Sequence, residues 1–323
     1  MATIVPEIVI GIDFGMTCTG VAFSKGPEWP DPNAIQRWPG TFSATRYDKV
    51  KTAVCYDGNG GHLVSWGFLC DPDDESLDYW THFKLYLDPM YKDPDENAPT
   101  HTEARKWFGD YLRSLYKYIS KHLGDTVATH LGDMRVEFIF SIPTTWKNPS
   151  THATIENLIK SAGFGSASNH RVEIMLTEAE AAAISASKQQ MYRDEVFLVC
   201  DAGGGTTDLN VLKVRSVGRN QTQLEPLSSN EGSSIGSTVI DYRIRIKLEK
   251  CLRPVQSHLR SDIRTTVHKM MQDRYEGFKC TLGEEGMNVP TLQMPIPDFP
   301  PGRDYPEACI EDSRLVLKRW VAI

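Results

Sequence analysis

No run of about 18 or more apolar residues occurs in the 323-residue chain, so no membrane-spanning helix is expected. The seven cysteines form no Cys-x-x-Cys pair, and the nine histidines show no metal-ligand spacing. Both absences speak against a zinc module or a disulfide framework and predict reduced thiols in a reducing compartment. Excess basic charge is also missing. At a net charge of −7, nucleic acid and anionic membrane surfaces are disfavoured as partners. The N-terminal stretch Met1–Asp13 lacks a basic start, and Glu7 interrupts its apolar run, so no signal peptide is expected and the protein is assigned to the cytoplasm. Internal repeats and low-complexity tracts are absent.

What is present is an ordinary globular composition, 40% hydrophobic and 24% charged, in a sequence longer than one core usually supports. Two lobes are therefore expected, over residues 7–192 and 193–323. Ile8–Asp13 and Thr19–Ser24 read as a β-hairpin about a glycine turn. A short strand is expected at Lys51–Tyr56, and the acidic run Asp71–Glu75 reads as a solvated loop. Between Thr102 and Leu123, apolar residues from Ala104 to Ile119 recur at helical spacing and predict an amphipathic helix. Val136–Ile142 reads as a strand, followed by a helix capped at Ser150 or Thr151 and ended by Gly163. A strand at Val172–Leu176, a helix at Glu178–Gln190 and a second hairpin, Val196–Cys200 with Asp208–Val214, complete the alternation that defines the α/β class. Helices are expected at Ile240–Leu252 and Ser261–Phe278, and the Pro-rich Val289–Pro301 is expected to interrupt the pattern.

Two segments carry chemistry. Gly11-Ile12-Asp13-Phe14-Gly15-Met16-Thr17 and Asp201-Ala202-Gly203-Gly204-Gly205-Thr206-Thr207-Asp208 each set an aspartate at a strand end and then turn through glycine into the next strand. Glycine lets backbone N–H groups approach phosphate oxygens closely, and Thr17, Thr206 and Thr207 add hydroxyl donors. Asp13 and Asp201 supply the hard oxygen ligands that Mg²⁺ prefers, and could orient a water toward a γ-phosphate. Taken singly, either segment could be a plain hairpin turn.

Together they resemble the two phosphate loops of the actin, sugar-kinase and heat-shock ATPase superfamily, with the triple glycine favouring the seventy-kilodalton heat-shock branch. Ser141-Ile142-Pro143, the segment Leu176–Ile184 and the turn Gly232–Asp241 extend the resemblance over about residues 8–250. The resemblance implies an actin-like (ribonuclease H-like) fold that binds ATP or ADP with Mg²⁺ and couples ATP hydrolysis to lobe closure. It places Asp13 and Asp201 at the metal, and Gly15, Met16, Thr17, Gly203, Gly204, Gly205, Thr206 and Gly236 around the nucleotide. It also makes Lys84 the catalytic lysine and sets Glu178 near the attacking water. An ordinary surface lysine and a helix-end carboxylate are the alternatives for those two. Met16 and Ser237 depart from the family pattern. No second Gly-Gly turn follows Asp241, so the second lobe is expected to be incomplete, as in a protein truncated at its C-terminus. A non-catalytic, regulatory nucleotide-binding protein and a small-metabolite kinase remain open beside the ATPase. Protein partners are conceivable but not named by the sequence.

Overall fold

Alternation of apolar and polar residues at the N-terminus and a 3.6-residue apolar period further on generate most of the architecture, which is that of a computed structural model. The structure describes residues 5–318 apart from 43, 59–60, 75, 93–97, 128–129, 144–145, 147, 187–190, 218–221, 228–230, 234, 272–274, 276–277 and 280–290. In sequence order the elements begin with β1 (Ile8–Phe14), β2 (Cys18–Lys25), β3 (Asn33–Ala34), β4 (Lys49–Lys51), β5 (Ala53–Asp57), β6 (Leu63–Trp66) and β7 (Leu77–Thr81). There follow α1 (His101–Val127), β8 (Val136–Ile142), α2 (Pro149–Ser161), β9 (His170–Thr177), α3 (Glu178–Ala186), β10 (Val196–Ala202), β11 (Thr207–Val217), β12 (Thr222–Pro226) and β13 (Glu231–Ser233). The last are α4 (Ser237–Leu252), α5 (Ile263–Met270), β14 (Thr291–Pro295), β15 (Ile310–Glu311) and β16 (Arg314–Lys318). The protein divides into two compact units, residues 1–236 and 237–323.

The first unit is built on a mixed sheet of order β3-β2-β1-β8-β9, with β4 also paired to β2. β1 and β2 are antiparallel, whereas β1–β8 and β8–β9 are parallel, as their helical crossovers require. Strict alternation in β1 buries Ile8, Ile10, Ile12 and Phe14 on one face. Against that layer α1 lays the stripe Ala104, Trp107, Phe108, Tyr111, Leu112, Leu115 and Ile119, all buried as the spacing predicts. Aromatic edges tighten the contact: Phe14 meets Phe108 at 4.7 Å and Tyr111 at 5.8 Å between centroids. A small sheet, β6-β5-β7, adds Trp80 stacked on Trp107 at 4.3 Å. A further sheet in this unit joins β10, β11 and β12, with β13 on β11.

The second unit packs α4 and α5 with the antiparallel sheet β14-β16-β15 about Leu248, Leu252, Val267, Met294, Ile310 and Leu315.

Local expectations are corrected at two places. α2 is capped by Asn148, whose side chain accepts from the Ser150 N–H at 2.9 Å, rather than by Ser150 or Thr151, because Pro149 occupies the first helical position. Its end at Gly163 holds, with φ +116. α5 starts at an Asp262 cap that accepts from the Thr265 N–H; past Met270 helical conformation recurs at Met271, Tyr275, Phe278 and Lys279, and residues 272–274 and 276–277 lie outside the described ones. The Pro-rich stretch contains a strand: Leu292 and Met294 alternate inward on β14 with Pro295 at its last position, where a missing N–H costs least. The predicted extension of α3 to Gln190 lies outside the described residues. No helix among the described residues is long and apolar enough to cross a membrane.

Candidate functional site

Each phosphate-loop segment folds as a hairpin whose register follows from its strands. Asp13 pairs with Gly20 and Phe14 with Thr19, leaving Gly15, Met16 and Thr17 as the turn. Asp201 pairs with Asp208 and Ala202 with Thr207, and the Gly203 N–H donates to the Thr206 carbonyl at 2.9 Å to close the second turn. The two turns meet. A Cβ added to Gly204 would fall 2.8 Å from the Thr17 methyl, and one on Gly205 would fall 2.1 Å from Met16 Sδ. Met16 and Thr17 therefore occupy the space that two glycines vacate, and this interlock is the physical reason for glycine at those positions. Thr52, fully buried, fixes the first turn. Its N–H donates to the Thr17 carbonyl at 2.8 Å and its hydroxyl to the Gly15 carbonyl at 2.9 Å.

Between the turns lies an open cleft that encloses about 130 Å³ of its own. Asp13, Gly15, Met16, Thr17, Lys84, Glu178, Asp201, Gly203, Gly204, Gly205 and Thr206 all line it. Gly236 does not. It lies behind the second turn, where a Cβ would stand 2.3 Å from the Gly204 carbonyl oxygen, so it shapes the loop from outside. The neighbouring Ile235 carbonyl accepts from the Thr207 hydroxyl at 2.7 Å.

Lys84 and Glu178 lie 94 residues apart in sequence. Phe83, fully buried, packs edge-on to Trp107 and anchors the segment that delivers Lys84. The Lys84 ammonium donates to the Phe14 carbonyl at 2.5 Å and pairs with Glu178. The ring of Trp146 lies 6.0 Å from it. Glu178 opens α3, and a capping box sets its position: the Thr177 N–H donates to the Glu180 carboxylate at 2.9 Å while the Thr177 hydroxyl accepts from the Glu180 N–H at 3.2 Å. Burial raises the Glu178 carboxyl above the ordinary glutamate range; Asp13 and Asp201 act in the same direction, and Lys84 opposes them. Lys84 and Glu178 are thus buried partners inside the cleft, which sets aside the surface-lysine alternative.

Three lining side chains escaped the sequence reading: Lys49, Trp146 and Leu85. Lys49, on β4, places its ammonium 2.7 Å from Asp13 Oδ2. Partial burial works against its charge, but Asp13, Cys18 and Asp201 outweigh it and hold the ammonium above the usual lysine range. No motif marks Lys49, since only strand pairing brings β4 to the cleft.

Two glycine-turn hairpins lining one cleft, on a mixed sheet flanked by helices, define an α/β protein. Sequence comparison agrees with the motif reading. Human heat shock 70 kDa protein 12A is 20% identical over 310 residues, covering 75% of this chain and 45% of that protein. The mouse protein of the same name is 20% identical over 302 residues, covering 73% and 44%. Human heat shock 70 kDa protein 12B is 24% identical over 203 residues, covering 58% and 29%. The chain is thus similar to these heat-shock-70-like proteins, and it spans less than half the length of the curated relatives it matches. No protein-family model matches it. Among solved structures, MreB5 of Spiroplasma citri bound to ADP aligns with a TM-score of 0.48 at 13% identity, over 82% of this chain and 62% of that one.

Proposed function

We propose that the cleft binds the phosphate chain of ATP or ADP between its two glycine turns. The observation that carries this reading is the interlock of Thr17 and Met16 with Gly204 and Gly205, which aligns two N–H-rich turns on one cleft with Asp13 and Asp201 at its edge. Phosphates suit such turns because successive backbone N–H groups meet several oxygens without side-chain bulk. The nucleotides in the MreB5 crystals belong to that protein and carry no weight for this one.

The donor set fits Mg²⁺. The Asp13 and Asp201 carboxylates line the cleft, and no cluster of three or more His, Cys, Asp or Glu groups is arranged to hold a metal among the described residues, so the remaining ligands would be phosphate oxygens and water. Bound there, Mg²⁺ would neutralise charge on the phosphate oxygens. The protein's own groups do the rest. Lys84, fixed by the Phe14 carbonyl and Glu178, presents a localised positive charge where negative charge would grow on a leaving phosphoryl group. Glu178 accepts from that ammonium and has a further oxygen with which to orient a water. Asp13 and Asp201 hold the metal side of the cleft.

Hydrolysis of ATP is part of this proposal. Release of phosphate from ATP by the wild type, lost in Glu178→Gln with ADP affinity retained, supports turnover. ATP binding with no release in either protein supports the non-catalytic, regulatory reading, for which the tight Lys84–Glu178 pair is the favouring observation, since it limits how far the carboxylate can serve a water.

A further inference from the structure

We propose that Lys49 is a second phosphate-directed cation of the cleft and that it competes with the divalent cation for Asp13; this rests on the nucleotide reading above. Three residues form one cross-strand row. Asp13 pairs with Gly20 between β1 and β2, and Gly20 with Lys49 between β2 and β4. The glycine in the middle makes the reach possible. A Cβ on Gly20 would meet Lys49 Cγ and Cε at 3.5 Å and Cδ at 3.8 Å, so the lysine stem lies flat across a position with no side chain. The ammonium then ends 2.7 Å from Asp13 Oδ2, inside the cleft lining.

The two lysines of the cleft differ in kind. Lys84 is buried, with its ammonium held by a backbone carbonyl and a carboxylate. The Lys49 side chain is 52% exposed and its ion-pair partner is Asp13, itself 45% exposed. A flexible four-carbon stem with three donors can exchange that partner by side-chain rotation. The exchange has a direction. Asp13 Oδ2 cannot serve the ammonium and a divalent cation together without bringing two positive charges to one oxygen. A metal arriving alone must displace Lys49 into water, whereas a metal arriving with a phosphate chain offers the ammonium new oxygens. Lys49 therefore opposes metal alone and assists nucleotide, most of all nucleotide without metal.

The test compares wild type with Lys49→Met and Lys49→Arg. ADP affinity is measured in Mg²⁺ and in EDTA, and Mn²⁺ binding without nucleotide is measured by electron paramagnetic resonance. Lys49→Met is expected to bind ADP about fivefold more weakly in EDTA and Mn²⁺ alone about fivefold more tightly, with a smaller change for ADP in Mg²⁺. Lys49→Arg, which keeps the charge, is expected to retain most of the EDTA affinity. Lys49 is half in solvent, so both variants should fold, and a purely structural role would not shift Mn²⁺ and ADP in opposite directions. If the wild type binds ADP but Lys49→Met matches it in EDTA and toward Mn²⁺, the role of Lys49 is overturned and the nucleotide reading stands. If the wild type binds ADP under neither condition, the nucleotide reading falls and this inference falls with it.

Discussion

Replacing Lys84 by methionine keeps the stem and removes the ammonium. Its partner Glu178 then stays where it is, with a side chain 13% exposed and the carboxylates of Asp13 and Asp201 acting on it. Breaking a buried ion pair by deleting one partner costs about 3–5 kcal/mol, because the other charge is left uncompensated. Protonation sets a ceiling. A glutamate that folds neutral at pH 7 gives up about 4 kcal/mol relative to an ionised unfolded one, and about 1 kcal/mol at pH 5. The sign follows from the raised carboxyl: with a folded pKa above the unfolded value, its stabilising contribution is complete below the unfolded pKa and is lost as pH rises through the folded one. Lys84→Met should thus be about 3–4 kcal/mol less stable than wild type near pH 7 and recover most of that toward pH 5. The double variant Lys84→Met/Glu178→Leu should regain most of the stability at pH 7, since a buried pair replaced by apolar groups is often neutral. Denaturant titration followed by tryptophan fluorescence at both pH values measures this, with Trp146 6.0 Å from the substituted ammonium. A single variant within about 1 kcal/mol of wild type at pH 7, with no gain on acidification, would refute the buried-pair argument.

Other expectations are simpler. Gly236→Ala places a methyl against the backbone of Gly204 and Gly205, so it should destabilise by about 1–3 kcal/mol and weaken nucleotide binding although Gly236 does not line the cleft; urea titration and ADP affinity read the two effects. Gly205→Ala collides with Met16 Sδ, and adding Met16→Ala should restore much of the lost binding, whereas an unrescued double variant would count against the interlock. Phe108→Ala removes a fully buried ring packed on Phe14, and should cost about 3–5 kcal/mol by chemical denaturation. Tyr56→Phe deletes the 2.8 Å hydrogen bond to Asp110 and should cost about 1 kcal/mol by the same measurement.

The parts of this protein legible in its sequence are those dictated by local chemistry. Both hairpins announce themselves through β-branched runs around glycine, and α1 through its apolar residues at helical spacing. The capping box Thr177-Glu178-Ala179-Glu180 also has a local signature. Lys49 is not legible, because its role depends on β4 pairing with β2 opposite Gly20, a contact set by register rather than by neighbours in sequence. Gly236 belongs to the nucleotide by its motif, yet the structure sets it behind the loop. β14 is hidden by the prolines around it, since its alternation is only five residues long.

The most direct test of the two-turn cleft is calorimetric titration of Mg²⁺-ADP into wild type and Asp201→Asn. The account predicts saturable one-to-one binding by the wild type and a loss of about tenfold or more in the variant, confined to conditions with metal present. Binding that is absent in the wild type, or that is equally strong in Asp201→Asn with and without Mg²⁺, would contradict it.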